Sequence, residues 1–173
     1  ILTETNSVIN PGKEYFSIST KDLYNVPGDI KYSEGENRVT IYSKFPFGKH
    51  FKTYNEYSSV CSEILTDQGS LIVYGTIVGV YGGRGEVFRE DFDRQKEDIA
   101  KLEGDRGICI AGDFNISFSG YPYPSHAVIK EAKDFFESNS IKILTRENLN
   151  CPDHVAISKS FMKNLSAESS QIP

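Results

Sequence analysis

The chain has 173 residues, 38% of them hydrophobic and 25% charged, with a formal net charge of −5. A chain of this length buries roughly 70% of its unfolded surface without staples, which excludes collagen-like, disordered and disulfide-framework readings and leaves one domain spanning 1–173. The acidic balance excludes a sequence-blind electrostatic nucleic-acid binder, which needs clustered Lys and Arg, but leaves room for a nuclease with a local basic rim.

In chain order, Ile1-Leu2-Thr3 reads as the end of a buried strand, and the polar stretch 6–12, with Pro11 and Gly12, as the loop leaving it. Tyr15 to Ser19 and Arg38 to Ser43 alternate apolar and polar residues, as half-buried strands do, with a turn at Pro27-Gly28-Asp29 between them. The longest apolar stretch, Leu71 to Tyr81, is well short of the ~20 residues of a membrane span and reads as a buried strand over 70–80. Phe88, Phe92, Ile99 and Leu102 mark one face of an amphipathic helix. After a strand at Gly107 to Ala111, a second helix is expected over 125–138, capped by Ser125 and burying Val128, Ile129, Ala132, Phe135 and Phe136. Val155 to Ile157 closes the series as a strand. This alternation is the grammar of a layered α/β domain, whose sites gather on loops at strand ends. Cys61, Cys109 and Cys151 are odd in number and lack CxxC spacing, so free buried thiols in a reducing, cytoplasmic setting are expected.

Three polar groups stand where apolar strands end or begin. Gly112-Asp113-Phe114-Asn115 follows the run 108–111, and two residues spaced by two project from one side of an extended chain. Asp113 can hold a hard cation or activate a water, and Asn115 can donate to a phosphoryl oxygen without adding negative charge. Glu4 follows Ile1-Leu2-Thr3, and with Asp113 it makes a minimal set for Mg²⁺, which keeps most of its waters. Asp153-His154 opens the last strand, an acid beside a base. Each also has a bland reading: a turn, a solvated Glu and a surface pair.

Together these residues resemble the endonuclease/exonuclease/phosphatase superfamily, the metal-dependent phosphoesterases that include abasic-site endonucleases, DNase I-like nucleases, sphingomyelinases and inositol-polyphosphate phosphatases. Thr3-Glu4-Thr5 is similar to the family's metal-binding "QET", RVTIYSKFPF at 38–47 to "GVAILSKYPI", and Gly112 to Asn115 to its GDFN signature. Phe92-Asp93-Arg94-Gln95 resembles the family's "R..Q...L" helix, and Ile77 to Gly82 the strand bearing the Tyr of abasic-site endonucleases, here Tyr81.

The resemblance implies a two-sheet α/β sandwich with outer helices, and a monomeric Mg²⁺-dependent phosphodiesterase, Mn²⁺ being an alternative ion. Glu4 would hold the metal, Asp113 orient or deprotonate the attacking water, and Asn115 and Tyr81 contact the scissile phosphate. The family's opening strand with its Asn and its closing Ser-Asp-His are not matched, so a domain truncated at both ends is expected. Asp153-His154 can be that closing catalytic pair. Alternatively, DHVAIS matches the earlier family strand "DHIFIS", making Asp153 a phosphate-site or His-orienting acid and turning His154 to the opposite face.

Nucleic acid, DNA above all, is the expected partner, with Lys44, Lys49, Lys52, Arg84 and Arg89 in or near loops and ten Tyr and eleven Phe available for stacking or core. A phosphorylated lipid head group or inositol phosphate is the alternative substrate, and an inactive metal- or phosphate-binding module the alternative class. His126 reads as helix-proximal only.

Overall fold

The computed structural model describes residues 1–162 apart from Asn25, Pro27, Asp29, Gln68, Tyr81 and 103–105. In chain order the elements are β1 (Leu2–Asn6), β2 (Phe16–Ser19), β3 (Glu36–Ser43), β4 (Phe47–Phe51), β5 (Ser59–Thr66), β6 (Gly69–Ile77), α1 (Gly85–Leu102), β7 (Gly107–Asp113), α2 (His126–Ser138), β8 (Ile141–Ile143) and β9 (Asp153–Ser158). One sheet has the order β1-β3-β2 and the other β4-β5-β6-β7-β9-β8.

β6 explains how the layers stack. Its apolar run is buried on both faces because successive side chains point opposite ways. Ile72 and Tyr74 join the core under the helices, with Phe88, Phe92, Ile99, Ala132 and Phe136. Val73 and Ile77 join a second core with Val39 and Ile41 of the small sheet. At Gly75 a Cβ would lie 2.8 Å from the Val39 side chain, so only glycine lets the two sheets approach this closely. The helix α1 carries the chain from β6 to its parallel neighbour β7.

This is a two-sheet α/β sandwich, as the resemblance implies, with one difference: among the described residues both helices cover the same face of the large sheet. The expected strands and helices are present. Ser125 caps α2 by accepting from the Val128 N–H at 3.3 Å, and α1 begins a turn earlier than its apolar stripe. The hairpin β4-β5 and the short β8 are additions that the periodicity did not reveal, since β5 carries Ser59, Ser62 and Glu63 among its apolar residues.

Two strand expectations need correction. The start of the chain is not a buried strand: β1 is the edge of the small sheet, with Ile1 and Leu2 40% and 43% exposed. The strand expected over 70–80 ends at Ile77, because Gly79 takes a left-handed φ of 64° and its N–H turns inward to the Asp91 carboxylate. Of the expected turn at 27–29, Pro27 and Asp29 lie outside the described residues. Among the described residues no helix is long and apolar enough to cross a membrane.

Candidate active site

The site is built where β7 and β9 meet. Their antiparallel register sets Asp113 opposite Asp153 and Gly112 opposite His154. Directly opposed residues share a face, so the two carboxylates stand together and His154 is sent to the other side. Gly112 has φ 137°, and a Cβ there would lie 2.0 Å from the Thr76 carbonyl oxygen, so glycine is required to bring the carboxylate strand against β6.

Asp113 and Asn115 meet, but not as neighbours along an extended strand. Asn115 is left-handed, with φ 50°, and its backbone N–H donates to Asp113 Oδ1 at 2.8 Å, an Asx turn that ends β7. Its amide nitrogen donates to the carbonyls of Val78 at 2.9 Å and Gly79 at 3.2 Å and to Asp113 Oδ2 at 3.2 Å. Both amide hydrogens are thus taken by the chain, so Asn115 ties the ends of β6 and β7 together and orients the Asp113 carboxylate.

Burial pushes the Asp113 carboxyl up to about 6, and the charges of Asp153 and Glu4 push in the same direction, against the stabilising Asn115 N–H. Glu4 reaches this group from the small sheet, exposed at a kink in β1 where its φ is 46°. The structure therefore gathers Glu4, Asp113 and Asp153 and leaves them without an ion-pair partner among the described residues. Among the described residues, however, no group of three or more His, Cys, Asp or Glu side chains is placed to hold a metal ion.

His154 stands apart from these carboxylates. It is 2% exposed, lies edge-on to Phe118 and beside Phe114, and both its ring nitrogens are engaged. Nε2 donates to the Ile116 carbonyl at 2.9 Å, which leaves Nδ1 to accept from the Thr145 hydroxyl at 2.9 Å. Burial lowers its pKa, keeping the ring neutral. Tyr81 lies outside the described residues. His126 opens α2 in an exposed position.

The expected basic residues do not form one track. Arg89 pairs with Glu131 at 2.8 Å, Lys44 lies over Tyr15 and Lys49 over Phe51. Lys52 is exposed. Arg84 is the exception in placement. The adjoining Gly83 packs against the Asn115 carbonyl so closely that a Cβ would lie 2.3 Å away, and Arg84 lies over Tyr123, whose hydroxyl accepts the Gly83 N–H at 2.9 Å. Sequence reading missed Tyr123, and it also missed Asp91. That buried carboxylate accepts from the Gly79 N–H and Tyr54 hydroxyl and contacts Gln95, whose own amide donates to the Ile77 carbonyl at 3.1 Å. An acid one helical turn before a Gln on an otherwise apolar face was the available signal.

The three cysteines are free, and burial pushes the Cys61 thiol up to about 12 and the Cys109 thiol up to about 11. Such thiols are inert rather than nucleophilic.

No protein-family model matches the chain, and no curated protein matches it. Solved structures do. An endonuclease/exonuclease/phosphatase from Beutenbergia cavernae superposes with a TM-score of 0.57 at 15% identity, covering 84% of this chain and 46% of its own. The endonuclease domain of TRAS1, a telomere-specific non-LTR retrotransposon, gives 0.59 at 12% identity over 87% of this chain and 68% of its own. An endonuclease/exonuclease/phosphatase family protein from Leptotrichia buccalis gives 0.51 at 11% identity, covering 84% and 59%. The chain thus has the endonuclease/exonuclease/phosphatase fold, and it spans about half the length of the first of these structures and more of the other two.

Proposed function

We propose that this domain is a Mg²⁺-dependent phosphoester hydrolase acting on nucleic acid, with Mn²⁺ able to replace Mg²⁺. The observation that carries the reading is Asp113, a half-buried carboxyl raised to about 6 beside Asp153 and Glu4 and oriented from both sides by Asn115. A base with that affinity for protons is matched to work near neutral pH. Mg²⁺ keeps most of its waters and needs only one or two protein carboxylates, and Glu4 with Asp113 or Asp153 would hold it. When bound, the ion supplies charge stabilisation for the phosphoryl and leaving oxygens.

Asp113 accepts a proton from water as that water's oxygen bonds to phosphorus, and the ester P–O bond on the far side breaks. Asn115 keeps the Asp113 carboxylate aimed and the β6 and β7 ends joined. Tyr81 is assigned to the scissile phosphate by resemblance alone. The TRAS1 domain, described as an endonuclease, has this fold and favours nucleic acid as the substrate class. Three free thiols suit a reducing compartment such as the cytoplasm.

The test is cleavage of an end-labelled DNA duplex carrying one abasic site, with Mg²⁺, Mn²⁺ or chelator. Metal-dependent cleavage that disappears in Asp113→Asn is expected. Equal turnover in that variant, or cleavage unaffected by chelator, would sink the reading.

A further inference from the structure

Arg38 is a buried cation without an anion. It lies on β3, 9% exposed, and among the described residues its guanidinium makes no ion pair. Its side-chain partners are the Tyr32 hydroxyl, which accepts from Nη2 at 2.9 Å, and the Tyr32 ring, 5.6 Å away. A guanidinium carries five N–H donors, and one of them is used here. A guanidinium so incompletely paired can still take an anion, and none of its free nitrogens is among the fully buried, unpartnered atoms.

The surroundings are open to such a partner. Arg38 and Leu23 line two grooves at once, of about 380 and 400 Å³. The first is lined by residues of both β1 and β3, including Glu4, Thr5 and Asn37; the second includes Tyr54, Asn55, Tyr57 and Ser58. Among the described residues, the two buried side-chain hydroxyls that lack a hydrogen-bond partner, Thr5 Oγ1 and Ser58 Oγ, belong to residues lining one groove each. Carboxylates also line them, Glu4 and Glu36 in one and Glu90 and Asp91 in the other. None pairs with Arg38, and Asp91 is occupied by Gly79, Tyr54 and Gln95.

The groove shared with Glu4 gives this arginine its significance. Thr3 pairs with Val39 and Thr5 with Asn37, and the ladder skips the position between them, where Glu4 takes its φ of 46°. Arg38 and Glu4 nevertheless line the same groove, and the Glu4 charge acts on Asp113.

We propose that Arg38 is an anion subsite beside the carboxylate site, its guanidinium fork seating a second, non-scissile phosphate of the substrate. This rests on the proposed phosphoester hydrolase and extends it. A planar fork suits phosphate geometry, and Tyr54, 40% exposed along the second groove, offers a face to a base on the same strand. The same fork could take the phosphate of a polynucleotide or of an inositol head group, and the site's other features favour the polynucleotide.

The direct test follows the Arg38 Nε–Hε resonance of the intact, ¹⁵N-labelled chain during titration with inorganic phosphate, a 5′-phosphorylated dinucleotide and an inositol phosphate. Saturable movement is expected with phosphate, at lower concentration with the dinucleotide than with the inositol compound. A stronger response to the inositol compound would keep the subsite and overturn the polynucleotide assignment; no movement with any of them would overturn the subsite. In DNA cleavage, Arg38→Gln should raise KM about tenfold and leave kcat within about twofold, with Arg38→Lys intermediate. An unchanged KM in folded Arg38→Gln would also contradict it. The titration needs neither metal nor turnover, so phosphate binding without cleavage would fault the hydrolase reading alone, and cleavage without phosphate binding the subsite alone.

Discussion

Asp153 and His154 are consecutive residues of one strand, and they end in opposite environments. Asp153 is exposed and faces Asp113 across the β7–β9 ladder, adding its charge to a site already short of cations. His154 points the other way, into the aromatic core, where two hydrogen bonds hold the ring and burial lowers its pKa against their pull. An acid next to a histidine suggests a catalytic pair, yet the alternation of a strand separates them by the thickness of the sheet. Adjacency in sequence carries chemistry only when the local conformation lets both side chains face the same space.

The largest effect expected from breaking this contrast is on the carboxylate side. Asp113→Asn keeps the shape and the Asx turn but removes the proton acceptor, so cleavage should fall by about 10³-fold while the melting temperature holds. On the core side the losses reverse. His154→Ala strands the Ile116 carbonyl and Thr145 hydroxyl and leaves a void beside Phe118, costing about 3 kcal/mol by denaturant unfolding with turnover per folded molecule unchanged. A collapse of turnover in folded His154→Ala would return that histidine to the reaction.

Much of this was legible beforehand, and the reasons differ by residue. The amphipathic stripe of α1, the Ser125 cap and the buried apolar run of β6 are local patterns, and they read correctly except for the strand's end at Ile77. GDFN marks the end of β7, where Asp113 also stands opposite Asp153. The turn at Asn115 did not read, because its left-handed φ depends on bonds to Val78 and Gly79, far away in sequence. The exposed edge position of β1 depends on sheet order, which periodicity does not encode. The role of Asp91 and Gln95 likewise appears only once α1 lies across the end of β6.

Smaller effects sharpen the comparison. Asn115→Ala removes the amide bonds to β6 while keeping the backbone N–H to Asp113, and should lower kcat about tenfold with a modest loss of stability. The two sides should also answer pH oppositely. Asp113 has a raised pKa, so its contribution to stability improves as pH falls through about 6, since the folded state takes the proton first. His154 has a lowered pKa, so its contribution worsens as pH falls below the ordinary 6.5, where the unfolded chain takes the proton first. Urea unfolding of His154→Gln across this range should lose the second trend and keep the first.

The central claim is that Asp113 is a proton acceptor tuned by burial and by its acidic neighbours. Its most direct test is the ¹³C titration of the Asp113 side-chain carboxyl in the metal-free protein, wild type beside Asp153→Asn. The account predicts a wild-type midpoint of about 6 and a lower one once the Asp153 charge is gone. A wild-type midpoint at the ordinary 3.8, unmoved by the substitution, would contradict it.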